Sequence, residues 1–145
     1  MSGRDTLIAR AREAAAKAHA PYSGFHVGAA VEAADGTIVT GANMENACYR
    51  LGICAEQSAL TAAQHAFGLK NVVRIAVAGG PLQDGAISGG DIVTPCGGCR
   101  QAIYEAAALS GHDVEIVSAS ADGDAVEVRT ISDLLPSAFG PDALA

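Results

Sequence analysis

Three cysteines and one glutamate constrain this chain more than any other feature. Cys54 stands two residues before Glu56, and the motif Pro95–Cys99, with thiols at Cys96 and Cys99, begins about 40 residues later. Cysteines at this spacing are typical metal ligands, so the fold must bring two distant segments to one point. Three protein ligands leave the fourth corner of a tetrahedral zinc open, and an open corner can hold an activated water.

Two other interpretations of the thiols remain open at this stage. A Cys-x-x-Cys pair before a helix is also typical of a redox dithiol. A structural zinc would need a fourth protein ligand, which Cys48 or a histidine could supply, although we expect Cys48 to be a small core residue. Glu56 two residues after Cys54 favours a catalytic zinc. Helix dipoles alone favour glutamate in a first turn, but beside a metal ligand it can shuttle protons, an effect typically worth about 10²–10⁴-fold in rate.

Composition sets broad limits on partners and compartment. The 145 residues suit one domain that buries roughly 68–70% of its unfolded surface. The chain has no apolar run of 18 residues and no signal-peptide core before Arg10, so we expect a cytoplasmic protein with reduced cysteines and no membrane partner. Its net charge of −7 argues against a nucleic-acid partner, because polyanion binding needs basic patches, and permits a small neutral ligand.

The periodicity of apolar residues predicts alternating helices and strands. Helices are predicted over 5–19, 55–67 and 95–110, with a short helical turn near 134–135. Strands are predicted over 27–33, 37–40, 72–78, 115–119 and 126–130. The Gly-rich segment 79–94 is expected to be a loop. The order α-β-β-α-β-α-β-β predicts a layered α/β domain with a mixed sheet.

Five segments together resemble the small homotetrameric cytidine deaminases over nearly the whole chain. They are PYSGFHVGAA at 21–30, NMENACY at 43–49, GICAE at 52–56, PCGGCRQ at 95–101 and LLPSAFGP at 134–141. The Cys-x-Glu and Pro-Cys-x-x-Cys pair is a known signature of zinc deaminases in general, and the other segments narrow the resemblance. It implies a three-layer α-β-α cytidine deaminase-like fold with a five-stranded mixed sheet, as a single domain over residues 1–145.

The resemblance also implies the metal centre and the catalytic group. Cys54, Cys96 and Cys99 would bind one zinc ion per chain. Glu56 would be the general acid and base that moves protons to the pyrimidine ring and the leaving amine.

The same resemblance assigns the substrate contacts. Asn43 and Glu45 would hold the ribose hydroxyls, although the residues alone would favour ordinary loop polarity. Phe25 would stack on the pyrimidine, although apolarity alone would favour a core role. The remaining contacts would be the backbone of Ala55, the carbonyl of Thr94, and Phe139 reaching the pocket of a neighbouring subunit.

Two departures from the family pattern stand out. The family commonly has arginine directly after the catalytic glutamate, where it hydrogen-bonds ligand thiolates, and this chain has Gln57. Our hypothesis is that Arg50 or Arg100 supplies the missing donor. The segment 79–94 is also longer than is usual before the Pro-Cys motif, and it could reshape the pocket entrance.

The resemblance implies hydrolytic deamination of cytidine and 2′-deoxycytidine to uridine and 2′-deoxyuridine, in pyrimidine salvage. The alternative is a related zinc aminohydrolase acting on a modified cytosine nucleoside, such as a blasticidin-like compound. The expected partners are a small nucleoside substrate and other copies of the chain, in a homotetramer with composite active sites.

Overall fold

A computed structural model describes residues 3–144 and contains four α-helices and six strands in that range. The helices are α1 (Gly3–Ala15), α2 (Ala55–Ala66), α3 (Gly97–Ser110) and α4 (Ile131–Leu134). The strands are β1 (Phe25–Ala33), β2 (Ile38–Ala42), β3 (Val72–Gln83), β4 (Ala86–Ile87), β5 (Glu115–Ala119) and β6 (Val126–Thr130). None of the helices within this range has the length and apolar character needed to cross a bilayer.

The strands form one mixed sheet in the order β2-β1-β3-β5-β6. Neighbouring β3 and β5 run parallel, and the other pairs are antiparallel. The β1–β2 hairpin turns at Asp35 and Gly36, where Gly36 has φ +92° and the Thr37 N–H donates to Asp35 Oδ1 at 3.0 Å. The five predicted strands and their mixed sheet are confirmed, and β4 adds a short sixth strand beside β3.

Helices cover both faces of this sheet, as the three-layer prediction requires. Helix α1 packs on one face, where an apolar cluster includes Leu7, Ala11, Ala30, Ala76 and Val117. Helices α2 and α3 pack on the other face, where the larger cluster includes Ala59, Val31, Ile75, Ile103 and Ile116. Because successive strand residues point to opposite faces, neighbours such as Ala30 and Val31 enter different clusters. Burying one Ile or Val side chain contributes about 1.5–3 kcal/mol.

The first helix is shorter than predicted. It ends at Ala15 rather than at residue 19, because His19 leaves the helix and pairs with Met44 in an isolated parallel bridge. The His19 N–H donates to the Asn43 carbonyl at 3.0 Å, and the Glu45 N–H donates to the His19 carbonyl at 2.8 Å. This pairing joins the segment before β1 to the segment after β2.

The segment expected to be a loop over 79–94 is partly a hairpin, so that expectation is wrong at 79–83 and 86–87. Strand β3 continues to Gln83, and Asp84 and Gly85 turn the chain with φ of 54° and 83°. Two successive positive φ angles are characteristic of a tight hairpin turn, and Asp-Gly is a typical sequence for one. Ile87 then inserts into the α1-side core, only 5% exposed.

Two strand glycines allow helices to approach the sheet closely. A Cβ atom at Gly41 in β2 would meet the backbone nitrogen of Ala59 in α2. A Cβ atom at Gly28 in β1 would meet the backbone of Ala11 and Ala15 in α1. The position of α2 relative to β2 therefore depends on the absence of a side chain at residue 41.

Candidate metal centre

The N-termini of α2 and α3 lie close together and bring three thiols to one point. Cys54 is the N-cap residue of α2, Cys96 is the N-cap residue of α3, and Cys99 lies in the first turn of α3. Their three Sγ atoms all lie within 4.8 Å of one another. Since zinc–sulfur bonds are about 2.3 Å long, sulfurs that share one zinc lie about 4 Å apart, and the three thiols fit one such ion.

The charges of the cluster also fit a cation. Without one, burial raises the pKa of Cys54. Burial, and then the charges of Glu56 and Cys54, raise the pKa of Cys99 well above its usual range. Backbone N–H groups at the start of α3, first that of Cys99, hold the pKa of Cys96 below its usual range. A divalent cation would lower the raised pKa values of Cys54 and Cys99, because metal coordination deprotonates thiols.

Glu56 lies in the first turn of α2 beside these thiols and is 5% exposed. Burial raises the pKa of its carboxyl group, and a hydrogen bond from Cys99 opposes this effect. A carboxyl group with a raised pKa takes up a proton more readily than an exposed carboxyl group does. It is therefore suited to the proton-transfer role predicted for it.

The hydrogen-bond donor to the thiols is not an arginine. The Gln57 Nε2 atom lies 3.8 Å from Cys99 Sγ and donates to it. Arg100 instead donates to the carbonyls of Pro95 at 2.9 Å and Leu134 at 3.1 Å. No arginine within residues 3–144 is recorded as a donor to the three sulfurs, so the hypothesis of a compensating Arg50 or Arg100 is wrong for this structure.

A pocket of about 290 Å³ opens beside the thiols and Glu56. The residues predicted to bind substrate that line it are Asn43, Glu45, Ala55 and Thr94. Its apolar wall comes from Val27, Ile53 and Val93, which the sequence did not single out. The alternation of β1 could have indicated Val27, since it points to the opposite face from His26.

Asn43 contacts the first residues of β1, and Glu45 contacts the turn just before this strand. The Val27 N–H donates to Asn43 Oδ1 at 2.8 Å, and Asn43 Nδ2 donates to the Phe25 carbonyl at 3.0 Å. Glu45 accepts hydrogen bonds from Tyr22 and Ser23, two residues for which the sequence suggested no role. The pocket therefore has a polar end that is built by two segments distant in sequence.

The two phenylalanines predicted to contact substrate are exposed. Phe25 is 42% exposed and Phe139 is 61% exposed, and neither belongs to the pocket lining within one described chain. A hydrogen bond from Gln101 Nε2 to the Phe139 carbonyl at 2.8 Å ties the tail to α3.

Cys48 is also exposed, so its expected core role is wrong. It precedes the short 3₁₀ helix Tyr49–Leu51, whose residues are all exposed.

Residues 1–110 match the family described as the cytidine and deoxycytidylate deaminase zinc-binding region. The chain belongs to this family. It is 41% identical to a cytidine deaminase of Halalkalibacterium halodurans over 136 residues, which cover 94% of this chain and 93% of the relative. A cytidine deaminase of Mycobacterium tuberculosis is 39% identical over 95% of this chain and 90% of its own length.

Solved structures show the same fold. A crystal structure of cytidine deaminase from Burkholderia pseudomallei superposes with a TM-score of 0.80 and 41% sequence identity, covering 96% of this chain and 100% of that chain. Cytidine deaminase from Mycobacterium leprae gives a TM-score of 0.72 at 36% identity, covering 94% of this chain and 100% of that chain. The predicted family and fold are confirmed, and zinc is the metal that the family and the three-thiol group indicate.

Proposed function

We propose that this protein is a cytidine deaminase that hydrolyses cytidine and 2′-deoxycytidine to the uridine nucleosides in pyrimidine salvage. The observation that carries the proposal is the meeting of three thiols and the buried Glu56 at one end of a pocket whose other end offers Asn43 and Glu45. One end provides hydrolytic chemistry and the other binds hydroxyl groups. The whole chain acts as one domain, in the cytoplasm, where its four free cysteines stay reduced.

The ligands of the metal are Cys54, Cys96 and Cys99, one ion per chain. Zinc held there supplies a Lewis acid and lowers the pKa of a bound water to about 7. With all three thiolates the net charge of such a site is −1, and the amide of Gln57 withdraws part of the charge on Cys99 through its hydrogen bond.

Glu56 carries out the proton transfers. Its carboxylate would accept a first proton from the water and deliver it to ring N3, where it stays in the uridine product. It would then accept the second proton of that water, now on the C4 hydroxyl, and deliver it to the departing amine, which leaves as ammonia. Burial favours the protonated carboxyl, so this carboxylate takes a proton from the water more readily than an exposed glutamate would. The Ala55 N–H and the Thr94 carbonyl, both at the pocket wall, hold the base in register with this carboxyl group.

We further propose a homotetramer with composite pockets. Large apolar and aromatic residues that are more than half exposed support it, and those among residues 3–144 are Tyr22, Met44, Tyr49, Leu51, Phe139 and Leu144. A phenylalanine left in water forgoes roughly 1.5–3 kcal/mol of burial. A neighbouring subunit that covered Phe139 would recover this free energy. Phe139 would then add an aromatic wall to the pocket of that subunit, beside its exposed Phe25.

The test is the loss of cytidine absorbance on purified protein, with ammonia release and zinc content measured in parallel. We expect turnover of cytidine and 2′-deoxycytidine by protein that contains about one zinc per chain. Zinc-loaded protein that left both nucleosides unchanged would refute the proposal. A reversible disulfide between Cys96 and Cys99 without bound metal would instead favour a redox dithiol.

A further inference from the structure

The carboxylate of Glu45 is held by a single turn of the chain before β1. The backbone N–H groups of Tyr22 and Ser23 donate to Glu45 Oε1 at 3.0 and 3.1 Å. The Ser23 hydroxyl donates to Glu45 Oε2 at 2.5 Å, and the same hydroxyl accepts the Phe25 N–H at 3.0 Å. Ser23 is thus the only side chain recorded as a donor to this carboxylate within residues 3–144.

The main chain of Glu45 is fixed on the same segment. Its N–H donates to the His19 carbonyl at 2.8 Å, and the His19 N–H donates to the Asn43 carbonyl at 3.0 Å. Both the main chain and the carboxylate of Glu45 are therefore attached to residues 19–23. A binding group whose backbone and head are both held in this way is preorganised for its ligand.

A count of hydrogen-bonding sites shows what remains for a ligand. An ionised carboxylate has about four lone-pair sites, and the turn uses three of them, which leaves one on Oε2. Asn43 uses its carbonyl oxygen on Val27 and one amide hydrogen on Phe25, which leaves one N–H. One acceptor and one donor can bind a single hydroxyl group, which donates to Glu45 and accepts from Asn43.

The protonation state of Glu45 agrees with this count. The hydrogen bonds from Ser23 hold the pKa of the Glu45 carboxyl below its usual range, so the group stays ionised and only accepts. Without the Ser23 hydroxyl, Oε2 would have two free lone pairs and no partner to fix it. The carboxylate would then be held only through the two N–H groups on Oε1, and Oε2 would be free to shift because the terminal torsion of glutamate is broad.

We propose that Ser23 is a positioning residue that orients the Glu45 carboxylate to accept one ribose hydroxyl of the substrate. The role rests on the proposed function, since it needs a nucleoside in the pocket. Ser23 does not touch the reacting atoms. Its removal is therefore expected to weaken substrate binding and to leave the chemical step nearly unchanged.

The kinetic test compares wild type, Ser23→Ala and Ser23→Thr on cytidine and on 2′,3′-dideoxycytidine, which lacks the 2′- and 3′-hydroxyls. For Ser23→Ala we expect KM for cytidine to rise about tenfold, the usual effect of losing a hydrogen bond to a charged group. We expect kcat to stay within about twofold, since the reacting groups keep their contacts. Ser23→Thr keeps a hydroxyl and should restore KM. On 2′,3′-dideoxycytidine, Ser23→Ala and wild type should behave alike.

A matched control exists elsewhere in the chain. Ser132 donates its hydroxyl to Asp113 Oδ2 at 2.6 Å and its N–H to Asp113 Oδ1 at 3.0 Å, so it makes the same kind of serine–carboxylate contact outside the pocket. Ser132→Ala should leave KM unchanged for both nucleosides. An equal loss for Ser23→Ala on cytidine and 2′,3′-dideoxycytidine, or no loss on cytidine, would overturn the proposal.

A second measurement does not depend on turnover. In a ¹³C NMR titration of the glutamate carboxyl groups, with the Glu45 signal assigned from Glu45→Gln, Ser23→Ala should raise the pKa of Glu45 towards its ordinary value. Ser132→Ala should leave it unchanged. An unchanged Glu45 pKa in Ser23→Ala would refute the positioning role even in an active enzyme. If wild type fails to deaminate cytidine while the pKa moves as expected, the proposed function fails and the Ser23–Glu45 contact stands without its ribose role.

Discussion

Replacing Gly41 by alanine should move the helix that carries Glu56. The added Cβ would meet the backbone nitrogen of Ala59 and would lie 2.8 Å from the carbonyl carbon and the hydroxyl oxygen of Ser58. Unstrained carbon contacts are about 3.5–4.0 Å, so α2 must retreat by roughly 1 Å. Backbone cannot rotate out of the way as a flexible side chain can. Overpacking of this kind costs about 1–3 kcal/mol of unfolding free energy.

The effect on catalysis follows from the position of Glu56 in the first turn of the same helix. A misplacement of about 1 Å can lower the rate about 10²-fold. For Gly41→Ala we therefore expect a Tm lower by about 4–12 °C, at roughly 4 °C per kcal/mol for a chain of this size. We also expect a fall in kcat towards 10²-fold. Calorimetry and the cytidine absorbance assay measure the two quantities.

Two other glycines provide matched controls. Gly28→Ala would press on the backbone of α1, which carries no site residue, so it should lower Tm while most of kcat remains. Gly90→Ala would place a Cβ with no heavy atom within 4 Å, so it should change neither quantity. If Gly41→Ala lowers Tm as Gly28→Ala does but keeps kcat, the link between the position of α2 and Glu56 is wrong. An unchanged Tm would contradict the close approach itself.

Four further substitutions test the site. Glu56→Gln should keep the fold and zinc but lose at least about 10²-fold in kcat. A variant that retained more than about a tenth of wild-type kcat would contradict the proton-transfer role of Glu56. Cys96→Ala should leave well under half a zinc per chain by elemental analysis, whereas full activity would argue against the ligand set. Gln57→Leu removes the amide donor to Cys99, so kcat should fall by about two- to tenfold at constant zinc content. An unchanged kcat would show that the contact does not tune the site. Phe139→Ala should raise KM for cytidine while zinc is retained. Unchanged kinetics, or an active monomer in sedimentation at assay concentration, would mean that Phe139 is a local packing residue.

Local signals in the sequence predicted most of the elements because the forces behind them act within a few residues. Apolar periodicity marked the strands over 115–119 and 126–130 with the bounds that the structure has. Gly111 ends α3 in the left-handed conformation, where glycine has no steric penalty. The hairpin at 82–87 was missed because β4 has only two residues and depends on Ile87 reaching the distant α1-side core.

The amino-acid sequence was enough to single out the groups that we propose to carry the chemistry. Three cysteines and a glutamate at this spacing indicate a metal and a proton carrier wherever the chain places them, because softness, charge and proton affinity belong to the side chains themselves. How those groups are held depends on the packing of distant segments. This packing placed the Gln57 amide rather than an arginine on Cys99, left Phe25 exposed, and attached the Glu45 carboxylate to Ser23. Such contacts join residues far apart in the chain, and their directions follow from how β1, β2, α2 and α3 pack, which no local pattern encodes.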